Sequence, residues 1–181
     1  MKIIYTTDLH GHKKKYLRTL EHAKKLDVDA VVNGGDLLPV NPYRLQGSFI
    51  SNFLDDHLYQ YESASIPYLY VRGNTDLKCF DDDLQEISSA YDLVENLSQK
   101  KVDLGGFEFI DSDLMADYPF SLKDRCRMDT DNSQFKKQLG QAFLSTKQGW
   151  RYLDDWCNYV KTLPTLEEEL EKLPQPENMH K

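Results

Sequence analysis

The N-terminal half of the chain alternates short β-rich runs with amphipathic helical stretches, and this alternation is the strongest constraint on the fold. Such a pattern is typical of parallel strands joined by crossover helices. The run at 28–33 is almost continuously apolar, as expected of a parallel strand that is buried on both faces. The sequence therefore predicts an α/β fold. The predicted strands are 2–7, 28–33 and 67–72, and the predicted helices are 13–26, 48–62 and 81–89.

The chain changes character near residue 112. Before this point, Gly105-Gly106 separates two β-rich runs and predicts a β-hairpin. Beyond it, the β signal is lost, and the spacing of apolar residues predicts a mainly helical segment. The predicted helices there are 133–144, 148–162 and 165–173. We accordingly expect an α/β core at 1–112, a helical insertion or cap at 113–173 and a linker-like tail at 174–181.

Composition narrows the possible classes of protein. A net charge of -8 argues against bulk attraction to nucleic acid or to an anionic membrane. No apolar run reaches the roughly 20 residues that a spanning helix needs, and the N-terminus does not resemble a signal peptide. The three cysteines, Cys79, Cys126 and Cys157, are far apart and are interpreted as reduced thiols. Together these features predict a cytoplasmic protein.

The residues best suited to bind a metal or take part in catalysis directly follow the three predicted strands. In a parallel sheet the carboxyl ends of the strands meet at one edge, which is where ligands bind. Each loop alone has an ordinary reading as a turn, but three in succession favour a shared site. Carboxylate, imidazole and amide ligands together suit Mn, Fe, Zn or Ni. The predicted metal ligands are Asp8, His10, Asp36 and Asn74, within the loops Asp8-x-His10, Gly34-Gly35-Asp36 and Gly73-Asn74-x-Asp76.

These three loops resemble the motifs of the calcineurin-like metallophosphoesterase superfamily. The resemblance implies a four-layer α-β-β-α sandwich that carries two divalent metals and hydrolyses phosphomonoesters or phosphodiesters with a metal-bound hydroxide. It further implies that Asp8 and His10 hold the first metal and that Asp36 bridges both. Asn74 would hold the second metal and orient the phosphate, and Asp76 would fix a neighbouring group by hydrogen bonding. Manganese is one of the metals that this site would accept.

Two departures from the superfamily pattern affect the expected activity. Thr75 stands where the family often has a histidine that assists the leaving group. In addition, no histidine lies between His57 and His180, so the family's later motifs with three further histidine ligands are missing. We therefore expect a truncated form with one metal or none and impaired activity. Sheet edges left exposed by missing strands would favour a homo-oligomer.

Further residues with charged or aromatic side chains could contact a phosphoester substrate or support the fold. His12 and Arg44 are candidates to bind the phosphate. A solvent-facing position is the favoured alternative for His12, and a surface role is an equal alternative for Arg44. Arg72 is expected to form a structural ion pair, with Asp76 as the suggested partner. The four aromatic residues Trp150, Tyr152, Trp156 and Tyr159 are interpreted as the packing face of one helix rather than as a platform for bases.

The sequence thus predicts a metal-dependent phosphoesterase whose substrate, a small molecule or a macromolecule, it does not specify. The alternative is a degenerate, non-catalytic relative that serves as a binding module. A third reading, an unrelated α/β domain with accidental motifs, is disfavoured because the three loops occur together and in order.

Overall fold

The computed structural model describes residues 1–177, and its centre is a parallel sheet of four strands that lie side by side in chain order. Each pair of neighbouring strands is joined by helix, as the alternating sequence pattern predicts. The strands are β1 (Ile3–Thr6), β2 (Ala30–Asn33), β3 (Tyr68–Tyr70) and β4 (Val94–Asn96). The helices are α1 (Lys13–Leu26), α2 (Gln46–Phe49), α3 (Asp55–Ser63) and α4 (Asp81–Ser88). A π-helical turn at Ile50–Leu54 joins α2 to α3.

The two faces of the sheet are covered differently. One face packs against α1 to α4 and forms the main apolar core, which includes Tyr16 and Leu58 from the helices and Val31 from β2. The other face is covered by the hairpin of β5 (Lys100–Leu104) and β6 (Phe107–Asp111). Because successive residues of a strand point to opposite faces, Val31 and Val32 enter different clusters.

Most of the predicted elements before residue 112 are confirmed. Helix α1 has the predicted bounds, and the hairpin turns at Gly105-Gly106, where both residues have positive φ. One strand was not predicted, namely β4. It has three residues, and only Val94 among them is apolar, so its β character comes from pairing with β3 rather than from its own composition.

The predicted mainly helical character of 113–173 is wrong. The predicted helix at 133–144 is mostly irregular, and residues 143–152 form an antiparallel hairpin of β9 (Phe143–Thr146) and β10 (Gly149–Tyr152). Cross-strand ring contacts hold this hairpin, with 4.9 Å between the centroids of Phe143 and Trp150. The aromatic residues that were interpreted as one helix face therefore divide between β10 and a separate helix.

The remaining elements of this segment are short. A parallel pair joins β7 (Met115–Ala116) to β8 (Cys126–Arg127), and α5 (Trp156–Val160) and α6 (Leu166–Glu171) follow the hairpin. The start of α6 agrees with the predicted one, because Thr165 and Glu168 form a reciprocal capping box. A small core gathers Cys126, Met128, Ala142, Trp156 and Val160.

The described part of the predicted tail lies against the β5–β6 hairpin. Lys101 Nζ is 2.7 Å from a carboxylate oxygen of Glu177, and the Glu177 amide donates to Glu108. Residues 178–181 of the predicted tail lie outside the described residues. The three cysteines are free thiols. Within residues 1–177, no helix has both the length and the apolar character needed to cross a membrane.

His57 of α3 is buried in the main core, and within residues 1–177 neither of its ring nitrogens has a hydrogen-bond partner. The rings of Tyr16, Phe53 and Tyr61 surround it at 5.2 to 5.5 Å between centroids. Burial lowers the pKa of His57 from 6.5 to about 4, so this side chain is neutral in the folded protein at pH 5 while the unfolded chain binds a proton there. Its contribution to stability is therefore complete above pH 6.5 and is lost as the pH falls towards 4.

We expect the variant His57→Phe to lose this acid sensitivity. The stability of the variant relative to wild type should rise by about 2 to 3 kcal/mol between pH 7 and pH 4.5, since one pKa unit corresponds to about 1.4 kcal/mol. Urea unfolding of both proteins at several pH values measures the difference, and His22→Phe on the exposed surface of α1 is the control. A difference between His57→Phe and wild type that does not change with pH would contradict this account.

Candidate metal centre

The loops after β1 and β2 hold their polar residues in an unusual backbone conformation. Asp8, His10 and Asp36 have φ values of 57°, 47° and 55°, in the left-handed region that residues other than glycine seldom adopt. Backbone hydrogen bonds join the two loops, from the Asp8 amide to Gly35 O at 3.1 Å and from the His10 amide to Asp36 O at 2.8 Å. Such conformations persist where the surroundings enforce them, and they concentrate at functional sites.

The same conformation brings three side chains together. One ligand atom from each of Asp8, His10 and Asp36 lies within 4.8 Å of the others. His10 Nε2 is 3.6 Å from Asp8 Oδ1 and 3.9 Å from Asp36 Oδ2, which is too far for hydrogen bonds. Four-coordinate ligands at about 2.1 Å from a metal are roughly 3.4 Å apart, so this spacing fits ligands around one ion. The donor set of two carboxylates and one imidazole suits a divalent transition metal.

Thr75 orients the Asp36 carboxylate. Its amide and its hydroxyl both donate to Asp36 Oδ1, at 3.0 and 2.8 Å. The other oxygen, Oδ2, is the one that faces His10. The sequence marked Thr75 only as a departure from the superfamily pattern, whereas the structure gives this residue two direct contacts to a candidate ligand.

Asp76 is fully buried and binds backbone amides rather than other side chains. Its carboxylate accepts hydrogen bonds from Gly73 N at 2.8 Å, Leu38 N at 2.7 Å and Leu37 N at 3.1 Å. Burial raises its pKa to about 6, although these three amides oppose the shift. Asp76 thereby ties the loop after β3 to the segment that follows Asp36.

The loop after β3 approaches the segment that carries Asp36 so closely that glycine is required at position 73. A Cβ at this position would lie 2.2 Å from both the amide nitrogen and Oδ1 of Asp36. Gly73 belongs to the motif Gly73-Asn74-x-Asp76, and this contact is the steric reason why a glycine stands there.

A buried ion network that the sequence did not reveal supports the loop after β3. Arg125 is 2% exposed and donates to the carbonyls of Gly73 and Asp76, both at 3.2 Å. It also contacts Asp81 at 2.6 Å and Asp113 at 2.5 Å. The expected pairing of Arg72 with Asp76 is wrong, because Arg72 contacts Asp81 at 2.7 Å and Asp113 at 2.8 Å instead. No sequence signal marks these pairs, since their members are far apart in the chain.

The remaining candidates lie in three different clefts. Asn74 and Thr75 line a cleft of about 320 Å³ with several aromatic residues. His12 is exposed and lines, together with His10, a more polar cleft of about 410 Å³. Arg44 is exposed and lines a third cleft of about 330 Å³, beside Lys147 and Trp150. The structure thus brings Asp8, His10 and Asp36 into contact range, whereas Asn74, His12 and Arg44 line three different clefts.

Comparison with known proteins identifies the family. The sequence profile of the calcineurin-like phosphoesterases (Metallophos) matches residues 1–172. The chain belongs to the calcineurin-like phosphoesterase family. A search of curated proteins gave no match. The Asp8, His10 and Asp36 group therefore lies in a chain whose family is named for phosphoester hydrolysis.

Solved structures that are partly similar to this chain were also found. One is 18% identical with a TM-score of 0.49, and the match covers 60% of this chain and 51% of that one. Another, the protein TT1561 of Thermus thermophilus, is 16% identical with a TM-score of 0.44, with 57% and 44% of the two chains covered. The matched part of the chain thus spans about half the length of each of these solved proteins or less.

Proposed function

We propose that this chain is a metal-dependent phosphoesterase that acts on phosphomonoesters or phosphodiesters. The observation that supports this proposal most strongly is the convergence of Asp8, His10 and Asp36 within 4.8 Å in a member of the calcineurin-like phosphoesterase family. A divalent metal at such a site lowers the pKa of water and neutralises the charge that develops on the phosphoryl group. The substrate is a phosphoester of a small molecule or a macromolecule.

The protein's own residues take separate roles in this proposal. Asp8 and His10 would hold the first ion, Asp36 would be shared between both ions, and Asn74 would offer its amide oxygen to a second ion and its amide NH2 as a donor to the phosphate. Mn, Fe, Zn and Ni all suit these donors. Asp76 acts by holding the loop that carries Asn74, and its three backbone contacts support this positioning role.

The contacts proposed for the substrate come from exposed side chains near the centre. His12 lies in the same cleft as His10, which supports a contact with the phosphate. Arg44 lines a separate cleft, so its contact would be with a more distant part of the substrate. A cationic contact would offset the negative potential that Asp8 and Asp36 present to an approaching phosphate.

The activity of this chain by itself is expected to be weak. Three protein ligands and water can hold one catalytic ion, but two-metal hydrolysis needs a clamp on both the attacking and the leaving oxygen. Hydrolysis of an aryl phosphodiester with Mn²⁺ at the rate of a full-length family member would contradict this expectation. A protein that binds metal without turnover would instead match the alternative of a non-catalytic binding module.

Replacing Asp36 with asparagine tests the metal site. We expect Asp36→Asn to lose at least tenfold in Mn²⁺ affinity, because the variant removes the charge of the central ligand. Asparagine tolerates the positive φ of this position, so the backbone should be preserved. Isothermal titration with Mn²⁺ measures the affinity, and metal content after purification without chelator provides a second readout.

The matched control is Asp27→Asn. Asp27 also has a positive φ, of 49°, but it ends α1 and does not belong to the acidic group at the metal centre. Unchanged Mn²⁺ affinity in Asp36→Asn, or an equal loss in Asp27→Asn, would refute the proposed site.

The larger architecture and the location of the protein also belong to this proposal. Helices on one face of the sheet and the β5–β6 hairpin on the other are compatible with three layers of a four-layer α-β-β-α sandwich. Strand β1 is an edge strand with exposed Ile3 and Tyr5, which supports a homo-oligomer formed through this edge. The division at residue 112, with 113–173 as an insertion or cap, and the cytoplasmic location stay predictions.

A further inference from the structure

Four aromatic rings line the cleft that opens beside the loop after β3. They belong to Tyr43, Tyr118, Phe120 and Phe143, and the cleft has a volume of about 320 Å³. This volume is at the small end of the range for ligand sites and suits one ring system with its attached sugar rather than a polymer. Asn74 and Thr75 form its polar end.

Thr75 links the cleft to the candidate metal centre. Thr75 lines the cleft, and its hydroxyl also donates to Asp36 at 2.8 Å and lies 3.5 Å from His10 Nδ1. A molecule in the cleft is therefore separated from the metal ligands by a single side chain. A phosphate at the metal centre and an organic group in the cleft can belong to one molecule.

The chemistry of the walls selects a neutral, planar group. None of the eight described residues that line the cleft is charged, so the walls do not form a second phosphate site. Two walls are held in place, because the Tyr118 hydroxyl donates to Leu122 O at 2.6 Å and Phe143 packs on Trp150. The Phe120 ring, 59% exposed and 5.8 Å from the ring of Tyr118, remains open to a ligand. Aromatic rings stack on any nucleobase because every base presents a flat π-face.

We infer that the preferred substrates are phosphoesters whose organic group carries a planar aromatic ring, and that this ring occupies the cleft beside Asn74. This inference rests on the proposed function for the position of the phosphate. Nucleotides and simple aryl phosphates share this chemistry, and the experiment separates them.

Equilibrium binding of matched phosphoesters to the whole chain in the presence of Mn²⁺ tests the inference. The ligands are adenosine 5′-monophosphate, phenyl phosphate and ribose 5-phosphate, with titration calorimetry as the readout. We expect both aromatic ligands to bind at least about fivefold more tightly than ribose 5-phosphate, since stacking on an aromatic side chain has an effect of this size. Tighter binding of the adenosine ligand than of phenyl phosphate would assign the cleft to nucleotides, and the reverse would assign it to simple aryl esters.

The variant Phe120→Ala should remove most of this preference and leave the affinity for ribose 5-phosphate unchanged. Phe107→Ala, which removes an exposed ring from β6, is the matched control and should keep the preference. Equal binding of aromatic and non-aromatic ligands, no binding of either aromatic ligand, or an unchanged preference in Phe120→Ala would each overturn the inference.

Hydrolysis of the same esters separates this inference from the proposed function. An aromatic preference in binding without any turnover would uphold the cleft and reject the phosphoesterase. Equal binding and equal turnover of aromatic and non-aromatic esters would uphold the phosphoesterase and reject the cleft.

Discussion

Replacing Arg125 with methionine is expected to lower the free energy of unfolding by about 3 kcal/mol, the lower end of what removal of one partner from a buried ion pair costs. The guanidinium is 2% exposed and contacts Asp81 and Asp113, of which Asp113 is 4% exposed. Methionine keeps much of the volume but removes the charge that faces these carboxylates. Arg72 also contacts both of them, so part of the charge remains compensated and the loss stays at the lower end.

Urea unfolding at pH 7 measures this loss, and Arg151→Met is the control. Arg151 is exposed, and its guanidinium contacts the hydroxyl and the ring of Tyr159. Its replacement should change stability by no more than about 0.5 kcal/mol. The stability loss of Arg125→Lys should lie between those of Arg125→Met and Arg151→Met. An ammonium keeps the charge but lacks the forked guanidinium that reaches two carboxylates and two carbonyls. Equal stability of Arg125→Met and Arg151→Met would contradict a structural role for the network.

Replacing Gly73 with alanine is expected to weaken metal binding at least tenfold, an effect typical of disturbing the groups that hold a metal ligand. The added Cβ would lie 2.2 Å from Asp36 Oδ1, the oxygen that accepts both hydrogen bonds from Thr75. It would also lie 2.2 Å from the Asp36 amide nitrogen, and this backbone atom cannot rotate away. The Asp36 loop must therefore shift, and the three candidate ligands must separate. A stability loss of about 1 to 3 kcal/mol should accompany the shift, as for other overpacked sites.

Mn²⁺ titration of Gly73→Ala and of Gly140→Ala provides the comparison. Among the described residues, a Cβ at Gly140 would meet only the Ser121 hydroxyl, a side-chain atom that can rotate away, so this variant should retain wild-type metal affinity. Unfolding measurements on both proteins separate a local loss of metal binding from a general loss of structure. Wild-type Mn²⁺ affinity in Gly73→Ala would contradict this expectation, because it would show that the metal centre tolerates a displaced Asp36.

The candidate ligands could be found from the sequence because their placement depends on local rules. Parallel strands bring their carboxyl ends to one edge, so polar residues directly after β1 and β2 meet even though they are distant in the chain. The placement of Asp8, His10 and Asp36 at one edge of the sheet follows from this topology. Their positive φ values could not be predicted in this way, because a sequence indicates that conformation only where it has glycine.

The C-terminal segment shows where the same reasoning fails. Aromatic residues at 150, 152, 156 and 159 are compatible with the period of a helix, but Trp150 packs across a hairpin on Phe143. The Ser145 amide and hydroxyl of β9 both donate to Asp124, which ties the hairpin to a residue 21 positions earlier. Such long-range contacts override the weak local preferences of residues for helix or strand. They leave no periodic pattern in the sequence.

The sequence by itself determined the α/β core, the bounds of α1, the β5–β6 hairpin and the edge of the sheet at which the candidate ligands lie, because strands, helices and tight turns are encoded by neighbouring residues. Only the tertiary structure decided what supports that edge. Thr75 reaches an aspartate 39 residues away, and Arg125 reaches one 44 residues away. Residue pairs so distant in the chain leave no regular spacing in the sequence. Their members meet only when the whole chain has folded.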